Sequence, residues 1–361
     1  MRAIRKILLY ALLGINVLVS LLFFVSAYSP SINPHSHPTW SCMGLVFPLF
    51  LLMNIFFLVL WAIIYRKFVC FPLLAMIGCW GAIRTYFPIN VFLADPPENA
   101  IKILSYNVRA FGDMKPHTKD KPNEVLEYLQ DCDADIICLQ EYIVGGKLRK
   151  KDVDYALRAY KYKHHLPLGK GGWNGLGVYS RYPILSAEPV KYESAHHGSV
   201  VYRIKVKEDT LVVVNNHLES NQIHVSDVET YHEIIDMTNK ANLFRGSRKL
   251  LRKMAEATKV RSKQADVLVK TLRHLKGKSV VFCGDLNDTP ISYAHHVLSE
   301  ELQDAFVESG NGLGVSYNRD RLYFRIDHIL ASRNLKVHQC TVDNTVQASD
   351  HYPIWCYIST E

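Results

Sequence analysis

No Asp or Glu precedes Asp95, and the stretch before it carries only Arg2, Arg5, Lys6, Arg66, Lys67 and Arg84 as bases. A region so long, so apolar and without acids does not read as a soluble domain; its natural solvent is lipid. Three apolar runs stand out, about 7–28, 43–65 and 68–94. The first two are uncharged and long enough to cross a bilayer. Arg84, Pro72 and Pro88 interrupt the third. A cleaved leader ending near Val25-Ser26-Ala27 is the competing reading of the first run, and the second run following so closely argues against it.

The expected division is therefore a membrane region over 1–94, with two or three transmembrane helices, and a soluble domain over 95–361. The loop between the first two runs, "SPSINPHSHPTWSC", has no Lys or Arg, whereas basic residues flank the far ends of both. The positive-inside bias puts those far ends in the cytoplasm. A third crossing then places the soluble domain on the non-cytoplasmic side.

Six of the eight net positive charges belong to the membrane region. Within the soluble part, residues 239–278 hold thirteen Lys or Arg against Glu256 and Asp266. The bland reading of this block is a solvated helical face, with Leu250, Leu251, Met254, Val260, Leu268 and Leu272 turned inward. The functional reading is an anion-binding surface. Cysteines in the soluble part (132, 138, 283, 340 and 356) are odd in number and lack metal-site spacing, so neither a disulfide framework nor a zinc site is indicated.

Short apolar strands alternate with helices after residue 100: a strand opening 101–111, strands near 134–141, 175–180, 184–190, 200–206, 211–216, 280–283, 325–331 and 353–358, and helices near 123–131 and 293–298. A long helical block is expected between Val225 and Lys276, broken near Gly246. This pattern indicates α/β layering with a large mixed sheet or two sheets.

Several of these strands run into polar residues: "ILSYN" at Asn107, "IICLQE" at Glu141, "LVVVNNH" at His217, and "VVFCGDLN" at Asp285 and Asn287. "RIDHIL" adds Asp327 and "ASDHYPIW" adds Asp350 and His351. Singly, each suits a turn, a cap or a surface histidine, and Asp285 with Asn287 suits an Asx-turn closed by Pro290. Jointly, carboxylates, amides and histidines without thiolates suit Mg²⁺ or Mn²⁺ rather than zinc.

The ordered set "SYNVR", "LQE", "GLGVYSRYPI", "NNHL", "GDLND", "RIDHIL" and "SDHYPI" resembles the endonuclease/exonuclease/phosphatase superfamily, which includes deoxyribonuclease I, inositol polyphosphate phosphatases and neutral sphingomyelinases. The resemblance spans about residues 100–360. It implies an α/β, four-layer αββα sandwich (deoxyribonuclease I-like) preceded here by transmembrane helices, and metal-dependent phosphoester hydrolysis. It implies metal ligation by Asn107, Glu141 and Asp350. Asp285 would act on the attacking water and Asn287 would hold that water or a phosphate oxygen. His351, steadied by Asp327, and His217 would face the phosphate. Arg109 stands where some abasic-site endonucleases have Asp, which weakens that activity and offers a phosphate contact. Ser180 and Arg181 are assigned to structure. Nucleic acid ranks first as substrate, with a phospholipid, sphingolipid or inositol phosphate as the alternative. A non-catalytic membrane receptor of the same fold is the minor alternative, and no obligate protein partner is inferred.

Overall fold

The computed structural model describes residues 2–91, 94–169, 171–172, 174–222, 225–236 and 243–360. Helices Arg2–Tyr28 and Phe47–Ile64 form a hairpin. They leave Leu18, Leu21, Leu52 and Phe56 exposed and turn polar groups inward. Ser20 Oγ donates to Asn54 Oδ1 (3.0 Å) and Trp61 Nε1 to Asn16 Oδ1 (2.9 Å). Apolar outside and polar inside is the arrangement helices adopt in lipid, and both helices are long and apolar enough to cross a membrane. The third run is shorter than the sequence predicts: Cys70–Gly78 and Trp80–Tyr86 form a pair bent by 65°, and the helix stops before Phe87, one residue ahead of Pro88.

The remainder is built on strands β1 (Ile101–Asn107), β2 (Ile136–Gln140), β3 (Tyr162–Leu168), β4 (Asn174–Ser180), β5 (Ile184–Pro189), β6 (Gly198–Val206), β7 (Asp209–His217), β8 (Ser279–Asp285), β9 (Gln303–Asp304), β10 (Tyr317–Arg319), β11 (Leu322–Phe324), β12 (Asp327–Ala331), β13 (Lys336–Val342) and β14 (Ile354–Ser359). One six-stranded sheet runs β13-β14-β1-β2-β4-β3 and the other β5-β6-β7-β8-β12-β9; β10 and β11 pair as a separate hairpin.

Alternation along each strand sorts side chains between two faces. Ile103, Cys138, Val178, Val213, Cys283 and Ile329 meet between the sheets. Leu104, Tyr106, Ile137 and Leu139 point outward onto helices Glu124–Asp131 and Lys150–Ala156. Val212, Val214, Phe282 and Leu330 point outward onto Leu268 and Leu272 of helix Leu243–His274 and Leu298 of helix Tyr293–Glu301. The result is the αββα sandwich implied by the resemblance.

Gly246 lies within the helix Leu243–His274, so the helical block is not broken at Gly246; the preceding helix, Val225–Ile235, ends at Ile235. The opening of the basic block, through residue 242, lies outside the described residues. Of its apolar positions, Leu268 and Leu272 are buried while Val260 is exposed. The sequence predicts neither β3 nor β13. "YKHHLPL" is half polar and carries a proline, and β13 shifts register between His338 and Thr341, so neither shows a clean two-residue period.

The connection between the hairpin helices packs on the other body. Cys42 Sγ lies 3.6 Å from Thr258 Oγ1 and His35 Nε2 lies 3.4 Å from Asp266 Oδ2. Gly44 is closed against Ile291, where a Cβ would be driven into the carbonyl oxygen. A second seam follows the bent helix: Arg325 donates to Thr85 O, and Asn90 Nδ2 donates to Val307 O (3.1 Å) and Gly310 O (2.6 Å).

Gly284 explains the glycine in "CGDLN". Its φ is +139°, and a Cβ there would strike the Asn216 carbonyl of the neighbouring strand. Gly284→Ala therefore combines a disfavoured backbone with overpacking, and is expected to destabilise the fold by about 2 kcal/mol or more. A clear fall in the thermal unfolding midpoint of the detergent-solubilised chain is the expected outcome; an unchanged midpoint contradicts the close strand approach.

Candidate active site

The parity that fills the space between the sheets also builds the polar cluster. Asn107 follows Ile103 and Ser105 on the inward face of β1, and Asp285 follows Val281 and Cys283 on the inward face of β8. His217 is the register partner of Asp285 in the parallel β7–β8 pair, and Asp327 is its partner in the antiparallel β8–β12 pair. Asp285 is thus flanked on both sides within its own sheet. Beneath them Gln140 Nε2 donates to Asn215 Oδ1 (2.7 Å), a buried link between the two sheets.

Two residues leave the strands in left-handed backbone: Glu141 at φ 51° and Asn287 at φ 51°. Such strain in non-glycine residues persists where surrounding contacts hold it. Asn107 Nδ2 donates to Glu141 Oε1 (3.1 Å) and to Asp285 Oδ2 (3.0 Å). Asn287 N–H donates to Asp285 Oδ1 (2.7 Å), so the Asx-turn and the cluster are the same structure. The Asn287 amide nitrogen donates to Leu218 O at 3.0 Å.

His351 sits between carboxylates. Its Nδ1 lies 2.7 Å from Asp327 Oδ2 and its Nε2 lies 3.7 Å from Asp285 Oδ2. Burial disfavours its charge, but Asp327 and Asp285 outweigh that and raise its pKa, keeping an imidazolium at neutral pH. Asp285 is wholly buried, and desolvation raises its pKa despite His351. His217 Nε2 lies 3.7 Å from Asp285 Oδ2 and 4.0 Å from Glu141 Oε1. Burial, with His197 and His351 nearby, lowers its pKa well below the usual value, so it is neutral. One charged and one neutral imidazole therefore face the same carboxylate.

Glu141, His217, Asp285, Asn287, Asp350 and His351 line one cavity of about 300 Å³. Asn107 and Asp327 stand directly behind these residues. Arg109 is not among the lining residues: its Nε pairs with Asp113 (3.2 Å) and its Nη1 lies 3.8 Å from Asp350. Ser180 and Arg181 are remote from the cavity; Arg181 pairs with Asp133 and Asp135. Three lining or neighbouring groups escape the sequence reading. Arg261, 2 % exposed, is clamped by Asp288 (3.1 Å), Glu219 O and Asn221. Tyr317 packs edge-on against the His351 ring. His197 packs on His217 and holds Glu219, whose pKa is lowered to about 2 by that contact. Arg261 is one basic residue among thirteen in its block; only tertiary structure singles it out.

The sequence profile of the Endonuclease/Exonuclease/phosphatase family matches residues 104–351, from the first catalytic-type strand to His351. The chain belongs to the endonuclease/exonuclease/phosphatase family. It is accordingly a phosphoester hydrolase. A domain of unknown function, DUF8431, matches residues 5–86, the helical part. No curated protein matches the chain. Among solved structures, it is similar to humanized D. rerio TDP2 (14% identity, TM-score 0.52, covering 73% of this chain and 100% of that one). It is also similar to the human Nocturnin catalytic domain (16%, 0.51, 74% and 96%) and an endonuclease/exonuclease/phosphatase family protein from Bacteroides thetaiotaomicron (15%, 0.51, 73% and 98%). At these identities the likeness is one of fold.

Enzymes of this family commonly use divalent metals, and the donor chemistry here fits one. Glu141 is raised in pKa by burial, opposed by His351 and the Asn107 amide, and Asp350 raises it further. Two carboxylates, Glu141 and Asp350, line one cavity, and oxygen donors of this kind suit a hard cation. Asp285, Asp327 and His351 also bring ligand-type atoms within 4.8 Å of one another. There, however, His351 Nδ1 is already engaged by Asp327 (2.7 Å), whereas Glu141 and Asp350 line the cavity and could hold a metal.

Proposed function

We propose that the chain is a membrane-attached, Mg²⁺-dependent phosphodiesterase, with residues 1–94 as its membrane region and 95–361 as its catalytic domain. The observation that carries this reading is His351 held between Asp327 (2.7 Å) and Asp285 (3.7 Å) on the cavity that Glu141 also lines. Glu141 and Asp350 would hold the metal; Asn107 joins them if its amide turns its oxygen toward the cavity. A bound Mg²⁺ neutralises charge on the phosphoryl oxygens.

In this reading a water held by Asp285 and Asn287 attacks phosphorus. The water–phosphorus bond forms as the bond to the leaving oxygen breaks. Asp285, made a stronger base by burial, takes the water's proton. His351 gives its proton to the leaving alkoxide, yielding a phosphomonoester and an alcohol, and solvent restores both groups. Asp327 orients and charges His351, and the neutral His217 contacts the phosphate from the other side. The groove lined by Arg245, Arg248, Lys249, Arg252 and Lys253 adjoins the cavity at Asn221 and Gln222, which supports an anionic substrate such as nucleic acid or an anionic lipid.

Two contacts support the non-cytoplasmic side for this domain. The 29–46 connection and the segment after Tyr86 both pack on it, and Arg2, Arg5, Lys6, Arg66 and Lys67 lie at the opposite ends of the hairpin helices. That arrangement requires the bent helix pair to cross. With alkaline phosphatase fused after the C-terminus, the expected outcome is an active reporter; fluorescence of a cytoplasm-dependent fusion in its place contradicts the topology.

Hydrolysis of bis-p-nitrophenyl phosphate by the full chain in detergent tests the chemistry. EDTA is expected to abolish it and Mg²⁺ to restore it, and Glu141→Gln should lower kcat by about 10²-fold or more at saturating Mg²⁺. Activity that survives EDTA, or cleavage of phosphomonoesters alone, contradicts the reading.

A further inference from the structure

The catalytic cavity has a second wall, and the membrane hairpin supplies part of it. Opposite the acids and histidines stand Leu45, Met254, Ile291, Leu322, Phe324 and Ile326. Leu45 belongs to the connection between the hairpin helices and lies two residues before helix Phe47–Ile64, whose outer positions Leu49 and Leu52 are exposed and apolar. The cavity therefore reaches the connection that leads into a helix long and apolar enough to cross a membrane. The connection is fixed there by the close seat of Gly44 on Ile291 and by the Cys42–Thr258 contact. Thr39 of the same connection also borders the basic groove, which brings cationic side chains to that level.

A nucleic-acid strand would use the basic groove but not the apolar wall. Its backbone is polar on every side of the phosphate. A phosphodiester carrying a long apolar substituent matches the cavity: phosphate over His351 and Glu141, hydrocarbon along Leu45, Phe324 and Leu322, and access from the membrane without full transfer into water. Burying such a substituent is favourable by roughly 0.8 kcal/mol per CH₂.

We propose that the substrate is a phospholipid of the membrane in which the chain itself resides, and that residues 41–45 are part of its binding site. This rests on the phosphodiesterase reading. It reverses the substrate order that the sequence suggests, because the sequence shows neither the meeting of Leu45 with the catalytic residues nor their shared cavity.

The test uses the full chain reconstituted into vesicles of phosphatidylethanolamine and phosphatidylglycerol, with released head-group or diacylglycerol products quantified. Bis-p-nitrophenyl phosphate and a single-stranded DNA oligonucleotide serve as soluble comparisons. The wild type is expected to cleave vesicle lipid in preference to the oligonucleotide. Leu45→Glu and, on a different element, Met254→Glu are expected to lose about tenfold or more of the lipid activity, a larger loss than on bis-p-nitrophenyl phosphate, with an unchanged thermal unfolding midpoint reporting that the variants fold. If the soluble diester is cleaved but lipid is not, or the oligonucleotide is preferred, or both variants keep full lipid activity, the lipid proposal is overturned and the phosphodiesterase reading stands. If neither lipid nor any soluble diester is cleaved by the wild type, both fall.

Discussion

One amide spans the two sheets at the point where chemistry is placed. Asn107 ends β1 in the first sheet, and its nitrogen donates both to Glu141, from the same sheet, and to Asp285, from the other. Every other member of the cluster is positioned relative to one of those carboxylates. His217 and Asp327 flank Asp285 by strand register, and His351 bridges Asp327 and Asp285. A buried amide that gave up one of these contacts would leave a desolvated carboxylate without its donor, a cost of roughly 1–3 kcal/mol. Inter-sheet geometry and site geometry are thereby one constraint, reinforced below by Gln140 and Asn215.

The apolar helical hairpin packs on the same structure from outside. Its connecting segment touches the long basic helix and Ile291, in the loop that leaves β8 after Asp285 and carries Asn287. A displacement of the hairpin would move Ile291 and the apolar wall relative to the carboxylates. The position of the hairpin and the shape of the site are coupled through that contact, which a simple tether would not provide.

Much of this was legible in the sequence. Two-residue alternation in "KILSYN" and "VVFCGD" puts Asn107 and Asp285 on the inward faces of their strands, and the ordered motifs name nearly every lining acid and histidine. The layered fold follows from the same patterns. Other features depend on long-range contacts that a linear pattern does not carry. Arg261 resembles its basic neighbours until Asp288, Glu219 and Asn221 close around it. The partnership of Arg109 with Asp113 and Asp350 depends on the left-handed run from Arg109 to Met114. Leu45 is one leucine in an apolar region, and only the docking of Gly44 on Ile291 brings it to the cavity.

The central claim is that residues from both sheets act as one catalytic unit. A double-mutant cycle of Asn107→Ala and Asp285→Ala, read in kcat/KM on bis-p-nitrophenyl phosphate, tests it most directly. The account predicts strong non-additivity, with the double variant hardly slower than Asp285→Ala alone. Full additivity of the two losses would contradict it.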